Sequence, residues 1–137
     1  IPDRDGIVRA MPLGTATAGL PRPSLSAALA HRSGAVDTLF PIDFAIDPLT
    51  IPRHSFVEVE RGALPPASLR GKHVLIGATA IEMGDRYAVP RHGVLPGVVV
   101  QALAAETLFA GVPQHGGWLP PLLLAGVMLF FVIVSAW

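Results

Sequence analysis

The C-terminal part of the chain restricts what it can form more than any other stretch. No Asp, Glu, Lys or Arg occurs from Thr107 to Trp137, and the apolar run GWLPPLLLAGVMLFFVIVSAW has Trp118 near one end and Trp137 at the other. A helix needs roughly 20 apolar residues to cross a hydrocarbon core about 30 Å thick, and tryptophan prefers the two interfaces. A buried helix of a soluble protein is the alternative, but it usually keeps a polar stripe, whereas only Ser135 is polar after Trp118. The sequence therefore predicts one transmembrane helix over residues 118–137.

The charge distribution predicts on which side of the membrane the rest of the chain lies. No Lys or Arg occurs between Arg91 and Trp137, and segments outside the cytoplasm tend to lack positive charge next to the membrane. We therefore expect residues 1–117 to be extracytoplasmic, as a domain over 1–112 and a connector over 113–117. The formal net charge is zero, which argues against nucleic-acid binding. The lack of cysteine excludes disulfides, thiolate metal sites and a cysteine nucleophile.

Short strand and helix signals predict a mixed α/β domain before the membrane helix. The stretch RPSLSAALAHRSG predicts a helix capped by Ser24 and closed by Gly34, and PGVVVQALAAETLFAG predicts a longer one between Pro96 and Gly111. Between them, KHVLIGA is short, apolar and β-branched, as expected for a strand covered on both faces. The stretch HSFVEVERGAL fits a strand or one helical turn. The expected fold class is α/β: a mixed sheet with covering helices, followed by one transmembrane α-helix.

The residues after the predicted central strand are the candidates for ligand binding. Gly77, Ala78 and Thr79 would lie at the carboxyl end of that strand, where open α/β sheets place ligands, and Asp85 follows in the same loop. The stretch lacks the Lys-Ser/Thr pair of a phosphate-binding loop and the G-x-G-x-x-G pattern. A structural interpretation stays open, in which Gly77 permits the turn, Thr79 caps it and Asp85 anchors the loop.

No catalytic set and no metal site emerge from the sequence. Glu82 and Glu106 are the acids that could pair with Asp85 as acid and base, but nothing in the sequence brings them together. The five histidines form neither H-x-H nor H-E-x-x-H, and no serine lies in a nucleophile-elbow context. We therefore predict no enzymatic activity in this stretch, no metal and no cofactor.

Several stretches in a fixed order carry a resemblance to a known family. They are DRDGIVRAMPL, PSLSAALA, IDF, LRGKHVLIGATA, Asp85 with the later Pro90, and LPGVVVQALAAETLFAG. Together they resemble the type-two CHASE domain, the cyclase/histidine-kinase-associated sensory extracellular family. The late helix departs from the family in having Gln101 where members often have a histidine.

The resemblance implies an extracytoplasmic sensory module of a receptor in the bacterial inner membrane. Its output domain in the cytoplasm would be a cyclase, a diguanylate cyclase or phosphodiesterase, or a kinase, and the resemblance carries no ligand with it. A membrane-anchored accessory or scaffold subunit and an anchored extracytoplasmic hydrolase stay open as alternatives. We expect a homodimer that binds a small-molecule or environmental ligand. The candidate dimer and signalling residues lie on the late helix, at Val98, Val99, Ala102, Leu103 and Phe109.

Overall fold

The computed structural model describes residues 2–112 and 119–135. Short strands and two one-turn helices come first along the chain, and two longer helices come last. In chain order, the strands and α-helices are β1 (Ala10–Pro12), β2 (Gly14–Thr17), β3 (Leu20–Pro23), α1 (Leu25–Leu29), β4 (Leu39–Pro41), α2 (Phe56–Glu60), β5 (Arg86–Val89), β6 (Gly93–Pro96), α3 (Gly97–Ala110) and α4 (Leu119–Ser135).

The strands pair as three separate two-stranded antiparallel sheets. β1 pairs with β4, β2 with β3, and β5 with β6. Within the described residues, parallel contacts are single bridges, from Ile7 to Ala88 and from Gly14 to Val36. The mixed α/β class is confirmed, but the expected single mixed sheet is wrong. Within the described residues, the strands meet further neighbours only through these single bridges, so the pairs do not merge into one sheet.

Helix α3 is the centre of the hydrophobic core. Leu103 and Ala104 have no exposed surface, and the helix packs against α1, where Ala27 is equally buried. Phe40 in β4 and Phe44 just after it belong to the same core. Because burying one Leu or Phe side chain contributes about 1.5–3 kcal/mol, a displacement of α3 affects the packing of the whole domain.

A buried hydroxyl joins α3 to the segment after β4. Thr107 has no exposed surface. Its Oγ1 donates to the Leu103 carbonyl at 2.8 Å and accepts from the Asp43 amide at 2.9 Å. Both hydrogen bonds of this hydroxyl are therefore satisfied inside the core, as a buried polar group requires.

Helix α1 begins at the predicted cap but ends earlier than predicted. The Ser24 hydroxyl accepts a hydrogen bond from the Ala27 amide at 3.2 Å. The chain leaves the helix through His31, whose φ of 51° is left-handed, and the Arg32 amide donates to the Ala27 carbonyl at 2.8 Å. This is the Schellman pattern. The predicted closure at Gly34 is therefore wrong, because a histidine already takes the left-handed position.

The other two helix signals are settled as well. α3 follows Pro96 directly and ends at Gly111, so the late helix is confirmed. The ambiguous stretch HSFVEVERGAL forms α2, with the Glu58 carboxylate accepting a hydrogen bond from the Ser55 amide at 3.3 Å. That contact satisfies a backbone donor in front of the helix, which explains why a helical turn wins over a strand here.

The stretch predicted as the central strand is not a strand. Within residues 2–112 and 119–135, residues 73–79 pair with no other segment and make no backbone hydrogen bond. Val74 is 50% exposed and Ile76 is 78% exposed. The expectation of a strand covered on both faces is therefore wrong. Apolar, β-branched side chains favour a strand only where neighbouring strands take up its backbone groups.

The predicted transmembrane helix over residues 118–137 is not found in that form. Helix α4 has 17 residues and is therefore about 25 Å long at 1.5 Å per residue. None of the helices in the described part of the chain combines the length and the apolarity that a membrane crossing needs. Trp118, Trp137 and the predicted connector over residues 113–117 lie outside the described residues.

Candidate functional site

A cavity of about 440 Å³ adjoins the first turns of α3. Its size falls within the range of about 300–1,000 Å³ that small-molecule sites occupy. The polar side chains in its wall are Asp85, Tyr87 and Gln101. The rest of the wall is apolar or glycine: Pro2, Val8, Met11, Leu25, Leu75, Ile76, Gly77, Gly97, Val98 and Val100.

The carboxylate of Asp85 lies against the first turn of α3. The pairing of β5 with β6 brings it there, and the Gly97 amide donates to the Asp85 carbonyl at 2.9 Å. A Cβ atom at Gly97 would lie 2.5 Å from Oδ1 and 2.7 Å from Cγ of Asp85, so a larger residue here would displace the carboxylate. Negative charge is favourable at this end of a helix because the N-terminal amides carry a partial positive charge.

Tyr87 and Gln101 complete the polar part of the cavity. A hydrogen bond from the Tyr87 hydroxyl to the Asp85 carboxylate, together with the negative charge of that group, raises the pKa of Tyr87. Gln101 lies one helical turn after Gly97, on the same face of α3. Its Oε1 is buried and has no hydrogen-bond partner among the described residues. The cavity therefore offers hydrogen-bond acceptors, one of which is unpaired.

Residues 73–79, called the wall segment, lie against α3 and are held there by side-chain contacts. A Cβ atom on Gly77 would lie 2.5 Å from Cβ of Val98, so the wall approaches the helix closely at this glycine. The Nε2 atoms of His73 and His31 are 3.3 Å apart, and the ring centroids of His73 and Phe109 are 6.4 Å apart. Because residues 73–79 make no backbone hydrogen bond within the described chain, these side-chain contacts are what hold the segment in place there.

Comparison with protein families gives a match to the CHASE2 domain over residues 1–137. The chain belongs to the CHASE2 domain family. CHASE2 domains are extracellular sensory domains of signalling receptors and are non-catalytic. Searches of curated proteins and of solved structures give no match.

Two of the four predicted ligand-binding residues lie at the cavity of this CHASE2 domain. Gly77 and Asp85 line it, whereas Ala78 and Thr79 are exposed and lie outside its lining. Sequence reasoning missed Tyr87 and Gln101 as site residues. Gln101 carried a usable signal, since it is a lone amide on an otherwise apolar stretch of α3, but nothing in the sequence singled out Tyr87.

The predicted dimer and signalling residues of the CHASE2 domain divide into two groups. Val99 is 5% exposed and Leu103 is 0% exposed, so both are buried within the chain itself. Val98 and Ala102 are half-buried, and Phe109 is 52% exposed. A contact between two copies through this helix stays a prediction. Its accessible candidates are Val98, Ala102 and Phe109, whereas a substitution at either buried residue would test the core.

No group of three or more metal-ligating side chains occurs in the described part of the CHASE2 domain. Two histidines, His31 and His73, lie close together, with Nε2 atoms 3.3 Å apart. His73 also lies beside Phe109 of α3. The two contacts of His73 join the segment after α1 and the end of α3 to the wall segment.

Proposed function

We propose that this CHASE2 domain binds a small molecule in the cavity beside α3 and transmits the binding through that helix to the membrane. One observation carries the proposal: helix α3 lines the cavity and is also the centre of the hydrophobic core. Gly97, Val98 and Gln101 line the cavity, and Leu103, two residues after Gln101, is buried in the core. A ligand that favours one position of the wall therefore also favours one packing of α3.

The transmission requires two states of the domain that bind the ligand with different affinity. Residues 73–77 supply an element that can differ between such states, because its backbone is unpaired within the described chain. It touches α3 near both ends of the helix, through Gly77 against Val98 and through His73 beside Phe109. Movement of the wall therefore acts on the whole length of α3 and not on a single turn.

The membrane side of the proposal rests on the sequence and on the family. The uncharged run that begins at Thr107 continues from the end of α3 into the segment that contains α4. We place residues 1–117 outside the cytoplasm of a bacterial cell, because no Lys or Arg occurs between Arg91 and Trp137. The output domain would be a cyclase, a phosphodiesterase or a kinase in the cytoplasm.

A fluorine label at the end of α3 tests whether the wall acts on that helix. The chain has no cysteine, so Ala110→Cys gives a single attachment site for a trifluoromethyl probe. In this background, Gly77→Ala forces the wall away from Val98, whereas Ala80→Ser changes an exposed residue outside the cavity lining. We expect the ¹⁹F resonance to shift with Gly77→Ala and to stay unchanged with Ala80→Ser. Equal spectra for both variants would show that wall and helix are uncoupled.

Disulfide cross-linking tests the proposed dimer. Phe109→Cys places a thiol on the exposed face of α3, and Glu60→Cys places one on exposed α2 as a matched control. If two copies meet along α3, the Phe109→Cys variant forms the covalent dimer faster than the control at the same concentration. Equal rates would rule out a contact through this face.

A further inference from the structure

The charged and polar groups of the cavity define what kind of ligand it suits. Among the described residues, Asp85 is the only carboxylic acid in the lining, and none of these lining residues is Lys, Arg or His. Two arginines are adjacent in sequence to lining residues, and both already interact with other groups. Arg9 forms ion pairs with Asp3 and Asp5 at 2.7 Å, and Arg86 donates to the Val94 carbonyl at 3.2 Å. The cavity therefore presents an acidic group without a basic one, which disfavours an anionic ligand.

The hydrogen-bonding capacity of the cavity is also unbalanced in favour of acceptors. A carboxylate has about four acceptor positions, so Asp85, beside Tyr87, can accept hydrogen bonds from a ligand as well. The buried Oε1 of Gln101 accepts nothing in the described structure. A buried acceptor without a partner costs free energy, so a ligand that donates a hydrogen bond to it removes that cost and binds more tightly.

The remaining surface sets the shape of the ligand. Seven apolar side chains and a proline line the cavity, among them Met11, Leu25 and Ile76. A volume of about 440 Å³ is large for a small ion and suits an organic molecule with an apolar body. Because the acidic group occupies one position in the lining, the charged end of the ligand would lie there and its apolar body against the remaining lining.

From these observations we infer that the cavity binds a primary ammonium compound with an apolar body, its ammonium group donating to Asp85 and Gln101. This inference rests on the proposed function, since it names the ligand class of the same cavity. The ammonium group has three donors and no acceptor, and so matches both groups at once. The apolar body would lie against the wall segment and Val98, and its presence would bias the position of the wall.

Three probes that share one apolar body test the ligand class on the whole chain. Tryptamine, tryptophol and indole-3-propionate carry an ammonium, a hydroxyl and a carboxylate group on the same indole. Binding is followed by backbone amide shifts in ¹⁵N NMR spectra, because the chain's own tryptophans would confuse fluorescence. We expect tryptamine to shift the amides of Gly77, Gly97 and Gln101, and to bind about tenfold more tightly than indole-3-propionate.

Two substitutions and one control locate the ammonium group. Asp85→Asn keeps the shape of the side chain and removes its charge, and should weaken tryptamine binding about fivefold to tenfold, since Asp85 is exposed and its charge is screened by solvent. Gln101→Leu removes the unpaired acceptor and should weaken it about fivefold. Glu106→Gln removes an exposed negative charge on the same helix, outside the cavity lining, and should leave the affinity unchanged.

The outcomes separate the ligand class from the sensory function. The inference is wrong if indole-3-propionate or tryptophol binds as tightly as tryptamine, if no probe shifts the cavity amides, or if shifts are confined to the apolar surface of α4. It is also wrong if Asp85→Asn, with a dispersed native spectrum, keeps full affinity for tryptamine. None of these results changes the response of the α3 label to Gly77→Ala, which needs no ligand and tests the coupling by itself.

Discussion

Replacing Thr107 by valine should loosen the attachment of α3 to the segment after β4. Valine has nearly the shape of threonine but cannot accept a hydrogen bond. The Asp43 amide, which donates to Thr107 Oγ1 at 2.9 Å, would therefore lose its partner. The Leu103 carbonyl keeps its helical partner, so the loss concerns the Asp43 donor. A buried donor left unpaired costs about 1–3 kcal/mol. Asp43 is half-buried, and we therefore expect the lower half of that range.

The matched variant Thr107→Ser separates the hydrogen bond from the packing. Serine keeps the hydroxyl and removes one buried methyl group, which costs about 1 kcal/mol. The two variants should thus lower the free energy of unfolding in urea by similar amounts. They should differ in amide exchange, where only Thr107→Val accelerates exchange at Asp43 relative to its neighbours. Unchanged exchange at Asp43 in the valine variant would refute the assignment of this hydrogen bond.

Other substitutions test the core, the helix cap and the acidic turn. Leu103→Ala should lower the free energy of unfolding by about 2–5 kcal/mol, whereas Phe109→Ala, at a half-exposed site, should cost clearly less; equal losses in urea denaturation would contradict the burial pattern. Ser24→Ala removes the cap of α1 and should cost about 1 kcal/mol in the same assay. Hydrogen bonds from Arg9 hold the pKa of Asp5 at about 2, below its ordinary value of 3.8. The stability this pair contributes is therefore present above pH 3.8 and lost as the pH falls toward 2; in a ¹³C NMR titration, Arg9→Gln should move the pKa of Asp5 back up.

Local signals predicted the starts of α1 and α3 correctly because the causes of helix initiation are local. Ser24 caps α1 and Pro96 precedes α3 just as their sequence contexts indicate. The end of α1 was predicted less well, since glycine is the usual left-handed residue and His31 takes that position instead. A non-glycine residue at positive φ leaves no mark in the sequence, so its place could not be foreseen.

The candidate site was predicted in part, and for a reason that does not hold. Gly77 and Asp85 were chosen because the carboxyl end of a strand often binds ligands. Both line the cavity, yet residues 73–79 form no strand. Gly77 is there because it fits against Val98, and Asp85 because the β5–β6 pair delivers it to the first turn of α3. Contacts of this kind depend on the assembled fold and could not be derived from spacing along the chain.

The failure of the strand prediction bears directly on how the domain could signal. Val74 and Ile76 are 50% and 78% exposed in a segment whose backbone is unpaired within the described residues. Burying one such side chain contributes up to about 1.5–3 kcal/mol, before the loss of chain entropy is subtracted. A ligand that draws this wall onto its own apolar body would recover part of that free energy. The amount is comparable to the 1–3 kcal/mol that typically couples two sites in a protein. The exposed apolar side chains of this segment would therefore give a bound ligand enough free energy to favour one packing of α3 over another.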